Sequence, residues 1–395
     1  MTSSGERRIS RGTSCFILPP YILTRIGQNG DPEERESAWR TLVLSERFRE
    51  RRAILAALPV VTPVGEKRRA VYDAGHREEL PGRFVRGERD PASHDAAVNE
   101  AFDGAGATYD LYFEVYGRNS VDDRGMRIDS SVHYGSGYDN AFWNGTQMVY
   151  GDGDGKLFMR FTKAPDVIGH ELTHGVTARE ANLEYHDQPG ALNESFSDVF
   201  GSLVKQRLRN ETAGQADWLI GEGLFTPKVR GVALRSMKAP GSAYDDPRIG
   251  KDPQPGHMKD YVETHEDNGG VHVNSGIPNH AFYLAALAIG GQAWKQAGRI
   301  WYVALRDRLR RDSDFAEAAR LTAGVAEEMY GTGSAEVRAV RDAWKAVGVE
   351  AAVRVKESQQ KESQPDEDRV HEKRRVRGAE RPARARKRRA AGRRA

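Results

Sequence analysis

The sequence predicts an α+β chain in which a strand-rich half is followed by a helical half. Three observations carry this. Between residue 68 and about 165, apolar and polar residues alternate between turns rich in Gly and Asp. From Asp166 onward, apolar residues recur at helical spacing. At the join lies His170-Glu171-Leu172-Thr173-His174, whose two histidines, four apart, share one face of a helix.

Each element follows from local pattern. Residues 1 to about 65 form a separate segment: Pro19-Pro20-Tyr21, then an amphipathic, charge-dense helical stretch from Glu33 to Leu58, broken by Pro59 and Pro63. Asp95 to Tyr116 reads as helix inside the strand-rich half. Arg127 to Tyr134 and Gln147 to Phe161 alternate as strands, punctuated by Gly135-Ser136-Gly137 and by the Gly151–Gly155 run. Helices are predicted at 166–180, 190–209, 274–289, 294–310, 314–330 and 335–347. The stretch 211–272, rich in Gly, Pro and Asp, must be ordered loop. After about Arg354 aromatics vanish and charge dominates, which predicts a disordered tail. The expected division is 1–65, 66–175, 176–350 and 351–395.

Composition bounds the function. A chain of 395 residues can bury a large core, and no apolar run approaches the ~18 residues of a membrane span. The formal charge of +3 averages unlike parts: Lys373 to Arg394 carries +11 and the rest −8. The single cysteine, Cys15, excludes an intrachain disulfide. No charged, apolar and small-residue regions follow one another as in a signal peptide, so Sec-type export is not expected.

The histidine pair admits two readings, a structural pair or two ligands of one zinc ion with Glu171 reaching a water on it. A zinc ion that does chemistry wants a third protein ligand and an open position. Glu194, on the next predicted helix, is the candidate. Asp198, four residues on, shares its face and can accept the second ring N–H of a ligand histidine. In Asp267-Asn268-Gly269-Gly270-Val271-His272, the aspartate can pair with His272 and favour the imidazolium. Alone, such a histidine is more often structural; beside a metal it becomes a cationic donor for an oxyanion. No G-x-S-x-G competes for the chemistry.

Asn140-Ala141-Phe142-Trp143, Met148 to Gly155, the His170 helix, Gly190 to Asp198, Leu234-Arg235-Ser236-Met237 and Asp267 to Gly276 occur in one order. On these motifs residues 66 to about 348 resemble the thermolysin-like neutral metalloproteases, within them the protealysin-like branch. The resemblance implies a zincin two-domain architecture, with a β-rich first domain, a helical second domain and the zinc helix at the cleft between them. It implies an endopeptidase with zinc on His170, His174 and Glu194, and Glu171 activating the water. Tyr185 and His272 would donate to the oxyanion, Asp267 would orient His272, and Asp198 would support His170. Asn140 and Ala141 would hold the substrate strand, and Arg235 a substrate carbonyl. Phe158, Phe161, Val167, Ile220, Leu224 and Leu234 would form an apolar pocket, so cleavage before bulky hydrophobic residues is implied. At the family's double calcium site Asp166, Asp217 and Glu222 are present, but Lys205 and Leu219 replace two other acids. Calcium prefers six to eight oxygens, so either one weak ion or none is expected, with Lys205 as internal counter-charge in the second case.

The N-terminal segment resembles the short propeptide of that branch. An extended, proline-stiffened stretch at Pro19–Leu23 is expected to lie in the cleft and inhibit until cleavage between about Leu58 and Lys67. Cys15 is open to two roles, a thiolate cap on zinc or a small buried residue. The resemblance implies extracellular action, against the missing signal pattern, which leaves cytoplasmic retention or non-classical export as alternatives. The basic tail suits non-specific contact with a polyanion. The rival to a protease is a non-catalytic protein of the same fold that binds a polyanion or a protein partner.

Overall fold

The computed structural model describes residues 16–51 and 65–350. Cys15, residues 58–64 of the expected processing region and the tail after residue 350 lie outside the described residues, so the readings of them carry no structural account.

The N-terminal segment makes two helices, α1 (Pro20–Asn29) and α2 (Pro32–Arg51). This corrects the expected extended stretch at Pro19–Leu23. Pro19, ahead of another proline, is extended at φ −63° and ψ 146°, while Pro20 occupies the first helical turn, where proline has no N–H to lose and its fixed φ suits the helix. Ahead of Pro19, Phe16 forms a β-bridge and Ile17 and Leu18 form a bend.

A five-stranded sheet follows, built from β1 (Arg69–Asp73), β2 (Arg83–Gly87), β3 (Ile128–Val132), β4 (Ala141–Trp143) and β5 (Met148–Tyr150) in the order β2-β1-β3-β5-β4. β3 runs parallel to β1 and β5, and β4 lies antiparallel to β5 as an edge strand. The strand expected from Gln147 to Phe161 stops at Tyr150. Gly153 and Gly155 turn left-handed, and Asp154 Oδ1 accepts the N–H groups of Lys156, Leu157 and Phe158, folding the chain into a tight loop. Helix α3 (Ala96–Asp110) packs against the sheet, capped by Asp95, whose carboxylate accepts the Ala97 N–H. Its expected continuation to Tyr116 widens at Leu111–Val115 into a π-type turn.

The second half is helical. α4 (Pro165–Arg179) and α5 (Asp187–Arg209) pack closely. A Cβ on Gly201 would stand 2.3 Å from the Asp166 carbonyl, and one on Gly169 would stand 3.0 Å from Gly201 Cα. Only glycines permit this approach, and it brings the faces bearing His170 and Glu194 together. α4 runs on to Arg179, so the division expected after residue 175 falls inside a helix. Between α5 and α6 (Asp267–Asn274), two short ladders order the loop region, β6 (Leu219–Ile220) with β7 (Arg235–Ser236) and β8 (Asp245–Asp246) with β9 (Gly250–Lys251). Helices α7 (Gly276–Ile289), α8 (Ala297–Asp307), α9 (Phe315–Tyr330) and α10 (Ala335–Ala346) complete the core. The indoles of Trp301 and Trp344 stack, and Trp344 Nε1 donates to Thr322 Oγ1 at 2.9 Å. No described helix is long and apolar enough to cross a membrane.

Candidate metal centre and cleft

His170 and His174 project from α4, and Glu194 meets them from α5. Their ligand atoms lie within 4.8 Å of one another, and all three residues are buried. Hydrogen bonding fixes the histidine tautomers. His170 Nδ1 is 2.8 Å from the Asp198 carboxylate, an acceptor only, so it carries the proton. His174 Nδ1 is 2.9 Å from Asn193 Oδ1, whose amide nitrogen donates to the Leu183 carbonyl; this nitrogen too is protonated. Ser197 Oγ lies 3.0 Å from the same atom. The two Nε2 lone pairs therefore face each other at 3.0 Å, with Glu194 oxygens 3.5 and 3.4 Å away. Glu194 Oε2 is buried and receives no hydrogen bond. Converging lone pairs and a buried carboxylate repel unless a cation sits among them, and two imidazoles with one carboxylate are a zinc ligand set. The residues present fit zinc.

Asp198 is the hub behind the ligands. It accepts from His170, from Arg235 Nε and Nη2 at 2.8 Å each, and from Asn279 Nδ2 at 2.8 Å. Burial pushes its pKa up, but Arg235 and His170 outweigh this and hold it well below the ordinary carboxylate range. The same contacts push Arg235 further up against its burial. Glu171 Oε2 accepts the Trp143 N–H of β4 at 3.0 Å.

His272 stands on the far wall. Asp267, Asn268, Gly269 and Gly270 all have positive φ, and this left-handed run at the start of α6 turns Asp267 back on the helical turn that follows it. Asp267 Oδ2 accepts the His272 N–H at 2.9 Å, and Oδ1 lies 2.6 Å from His272 Nδ1. Burial lowers the His272 pKa, but Asp267 and then Glu194 outweigh it, and the net shift is upward. Tyr185 donates to Glu194 Oε1 and lies 3.2 Å from His272 Nε2.

The cleft holds part of its own chain. Ile17 N–H donates to the Ala141 carbonyl at 3.2 Å, and Phe16 pairs antiparallel with Phe142, extending the sheet past its edge. Asn140 Oδ1 accepts the Leu18 N–H at 3.0 Å, and its Nδ2 donates to the Leu18 carbonyl at 3.2 Å. Arg235 Nη1 donates to the Ile17 carbonyl at 3.0 Å, and His272 Nε2 to the Phe16 carbonyl at 3.1 Å. Thus Asn140, Ala141, Arg235 and His272, singled out in the sequence, all engage the backbone of one tripeptide, Phe16 to Leu18.

Phe158, Phe161, Val167, Ile220, Leu224 and Leu234 are all buried in the main core. Phe158 and Phe161 lie ring to ring at 5.9 Å, and the Leu234 N–H donates to the Ile220 carbonyl. Asp166 and Asp217 meet Lys205 instead of an open cage. Its ammonium lies 3.0 and 2.8 Å from them and donates to the Leu219 carbonyl at 2.6 Å. Arg209 pairs with Asp217 and Glu222. Lys205 thus stands beside Asp166 and Asp217 as the internal counter-charge of the second expectation.

Sequence reasoning missed Ser197 and Asn279 as partners of the ligand set, and the Trp143 N–H on Glu171. Asn193 carried a signal, a polar residue beside Leu192 on a helix facing the core; Asn279 carried none. Phe16 to Leu18, the residues seated in the cleft, precede the proline motif that drew attention.

Known proteins match this chain in both halves. The model of the thermolysin metallopeptidase catalytic domain matches residues 65–178, and that of the thermolysin metallopeptidase alpha-helical domain matches 181–349. An extracellular metalloprotease of Pectobacterium carotovorum subsp. carotovorum is 50% identical over 337 residues, covering 85% of this chain and 96% of that protein. Protease PrtS of Photorhabdus sp. (strain Az29) is 47% identical, over 84% and 91% of the two chains. The structure of the precursor of protealysin, a metalloproteinase from Serratia proteamaculans, superposes with a TM-score of 0.79 at 53% identity, covering 85% of this chain and 99% of that one.

Proposed function

The chain belongs to the thermolysin metallopeptidase family, and we propose that this zinc endopeptidase cuts proteins before bulky hydrophobic residues, with its own N-terminal segment as the first occupant of its cleft. The observation that carries the reading is the convergence of the His170, His174 and Glu194 ligand atoms beside a tripeptide held on the edge strand.

Held by His170, His174 and Glu194, zinc supplies a Lewis acid for a peptide carbonyl and lowers the pKa of a water. The remaining roles fall to the protein. Glu171, fixed by the Trp143 N–H, takes the proton of the attacking water and hands it to the leaving amine. Tyr185 and His272 donate to the oxyanion, and Asp267 holds His272 in its charged form. Asn140 and Ala141 bind the substrate backbone as an added strand, and Arg235 binds a substrate carbonyl. Their contacts with Phe16, Ile17 and Leu18 support these roles, since each group engages peptide backbone as a substrate would present it. The apolar group from Phe158 to Leu234 supports the side-chain preference.

Release of the N-terminal segment, by cleavage between about Leu58 and Lys67, then opens the cleft. Extracellular action is proposed from the relative of that description in Pectobacterium; detection of the processed enzyme in culture medium tests it. The basic tail from Lys373 to Arg394 serves at most as an electrostatic tether to polyanions, and its deletion leaves peptide turnover unchanged. Casein cleavage by the purified chain tests the central assignment. Cleavage is expected to stop with a zinc chelator or in Glu171→Ala; persistence in Glu171→Ala overturns it.

A further inference from the structure

A second group of metal-capable side chains lies outside the cleft. His76, in the turn after β1, His133, just past β3, and Asp152, in the Gly151–Gly155 loop, bring three ligand atoms within 4.8 Å of one another. His133 Nδ1 is 2.9 Å from both oxygens of Asp152. His76 Nδ1 approaches Asp152 Oδ2 at 3.5 Å, and the two imidazole rings lie 5.5 Å apart. We propose that His76, His133 and Asp152 bind a second divalent metal ion of the zinc class, at residues separate from His170, His174 and Glu194.

Four features support this. The first is spacing. Ligand atoms around a tetrahedral zinc stand about 3.3 Å apart, from bond lengths of roughly 2.0–2.1 Å, and the observed contacts bracket that value within side-chain adjustment.

The second is the group behind His133. Its other nitrogen, Nε2, lies 2.7 Å from Asp95 Oδ2. Asp95 is itself fixed, because its Oδ1 caps α3 through the Ala97 N–H. A carboxylate on the distal nitrogen of a histidine is the usual support of a metal-ligating imidazole, fixing the ring and raising its basicity.

The third is backbone. His76 and His133 have φ of 60° and 55°, left-handed values uncommon outside glycine. The His76 N–H donates to the His133 carbonyl at 2.8 Å, so the two histidines are tied together at the main chain.

The fourth is charge. With neutral imidazoles, Asp152 and Asp95 leave the group at −2, which one divalent cation cancels. Two nitrogens and one carboxylate favour zinc over calcium, which prefers an all-oxygen shell. The His76 side chain is 61% exposed, so further positions open to water.

A simpler arrangement uses only part of this. His133 alone, protonated between Asp152 and Asp95, would form a stable ion pair; Asp152 is the first cause raising its pKa, to about 9 against burial. Metal entry at Nδ1 must therefore expel a proton. That arrangement has no use for His76, yet His76 aims its Nδ1 at the same Asp152 oxygen. His76 separates the two.

The ion would tie the turn after β1 to the Gly151–Gly155 loop. That loop holds the edge of the cleft, since the Gly151 N–H donates to the Asn140 carbonyl at 2.9 Å. The second metal is thus a brace for the substrate-binding edge.

The test uses the full-length chain carrying Glu171→Gln to prevent self-cleavage, dialysed against micromolar free zinc. Metal analysis is expected to give two zinc ions per chain, falling to one on adding His76→Asn, which keeps a residue tolerant of the left-handed backbone. Zinc beyond the first equivalent is expected to raise the unfolding midpoint of the parent and not of the His76→Asn chain. One zinc per chain in the parent overturns the proposal. So do two in both chains, which would put the second ion elsewhere.

Discussion

Arg235 Nη1 donates to the carbonyl of Ile17 at 3.0 Å, joining residues 218 positions apart. The same guanidinium grips Asp198, which orients the zinc ligand His170. The N-terminal segment is thereby wired to the groups that support the metal, and under the proposed function it occupies the place of a substrate backbone.

Ile17 is fully buried in this arrangement. Ile17→Asp places a carboxylate there, and burial of an unpaired charge is strongly unfavourable. The parent chain should show a lag before cleaving a small fluorogenic peptide, and Ile17→Asp should shorten it at least about tenfold, the equivalent of 1.4 kcal/mol. N-terminal sequencing of the matured enzyme should place its first residue between about Leu58 and Lys67.

Asp139 gives docking of the segment a pH dependence. Its Oδ2 accepts from Ser37 Oγ at 3.0 Å, and its own N–H donates to Thr41 Oγ1, both on α2. Burial, then the charge of Asp154, raises its pKa well above the ordinary value. The Ser37 hydrogen bond lowers it in part, while α2, by covering the carboxyl, is expected to raise it on docking; a carboxyl so raised favours the docked state while protonated. Docking is therefore strongest at acid pH and weakens as pH rises through the raised pKa. Hydrogen-exchange protection of Ser37 to Thr41, in a Glu171→Gln background, should fall with pH in the parent relative to Asp139→Asn. Equal pH profiles in the two chains would remove Asp139 as the cause.

Glu171→Gln should lower kcat by about 10²–10⁴-fold, the usual contribution of a positioned general base. Zinc content should not change, because the ligands are His170, His174 and Glu194. Loss of zinc along with activity would give Glu171 a structural role instead.

Lys205 is 2% exposed and lies between Asp166 and Asp217. Removing one partner of a buried ion pair leaves an uncompensated charge, at a cost of about 3–5 kcal/mol. Lys205→Met should be destabilised by that amount in denaturant unfolding. A calcium-selective chelator should leave the unfolding midpoint of the parent unchanged; a large drop would show that calcium is bound after all.

Much of the site was legible because its chemistry is local. The spacing of His170 and His174 lies within one turn and a half of helix, and so does that of Glu194 and Asp198. The Asp267–His272 pair is encoded by a turn that Gly269 and Gly270 make possible. The strand reading of Gln147 to Phe161 failed because alternation persists through a loop whose shape Asp154 sets by capping three N–H groups. The extended reading of Pro19–Leu23 failed because a proline can begin a helix as readily as prevent one.

The sequence by itself determined the fold class, the candidate zinc ligands and the family resemblance, since each rests on periodicity or on short ordered motifs. Only the tertiary structure decided what faces those groups. Gly169 and Gly201 set how closely α4 and α5 approach, and that approach fixes the ligand geometry. Ile17 meets Arg235, Ser37 meets Asp139, and His76 meets Asp152 across long stretches of chain. Such meetings depend on how sheet and helices pack, and local pattern holds no record of them.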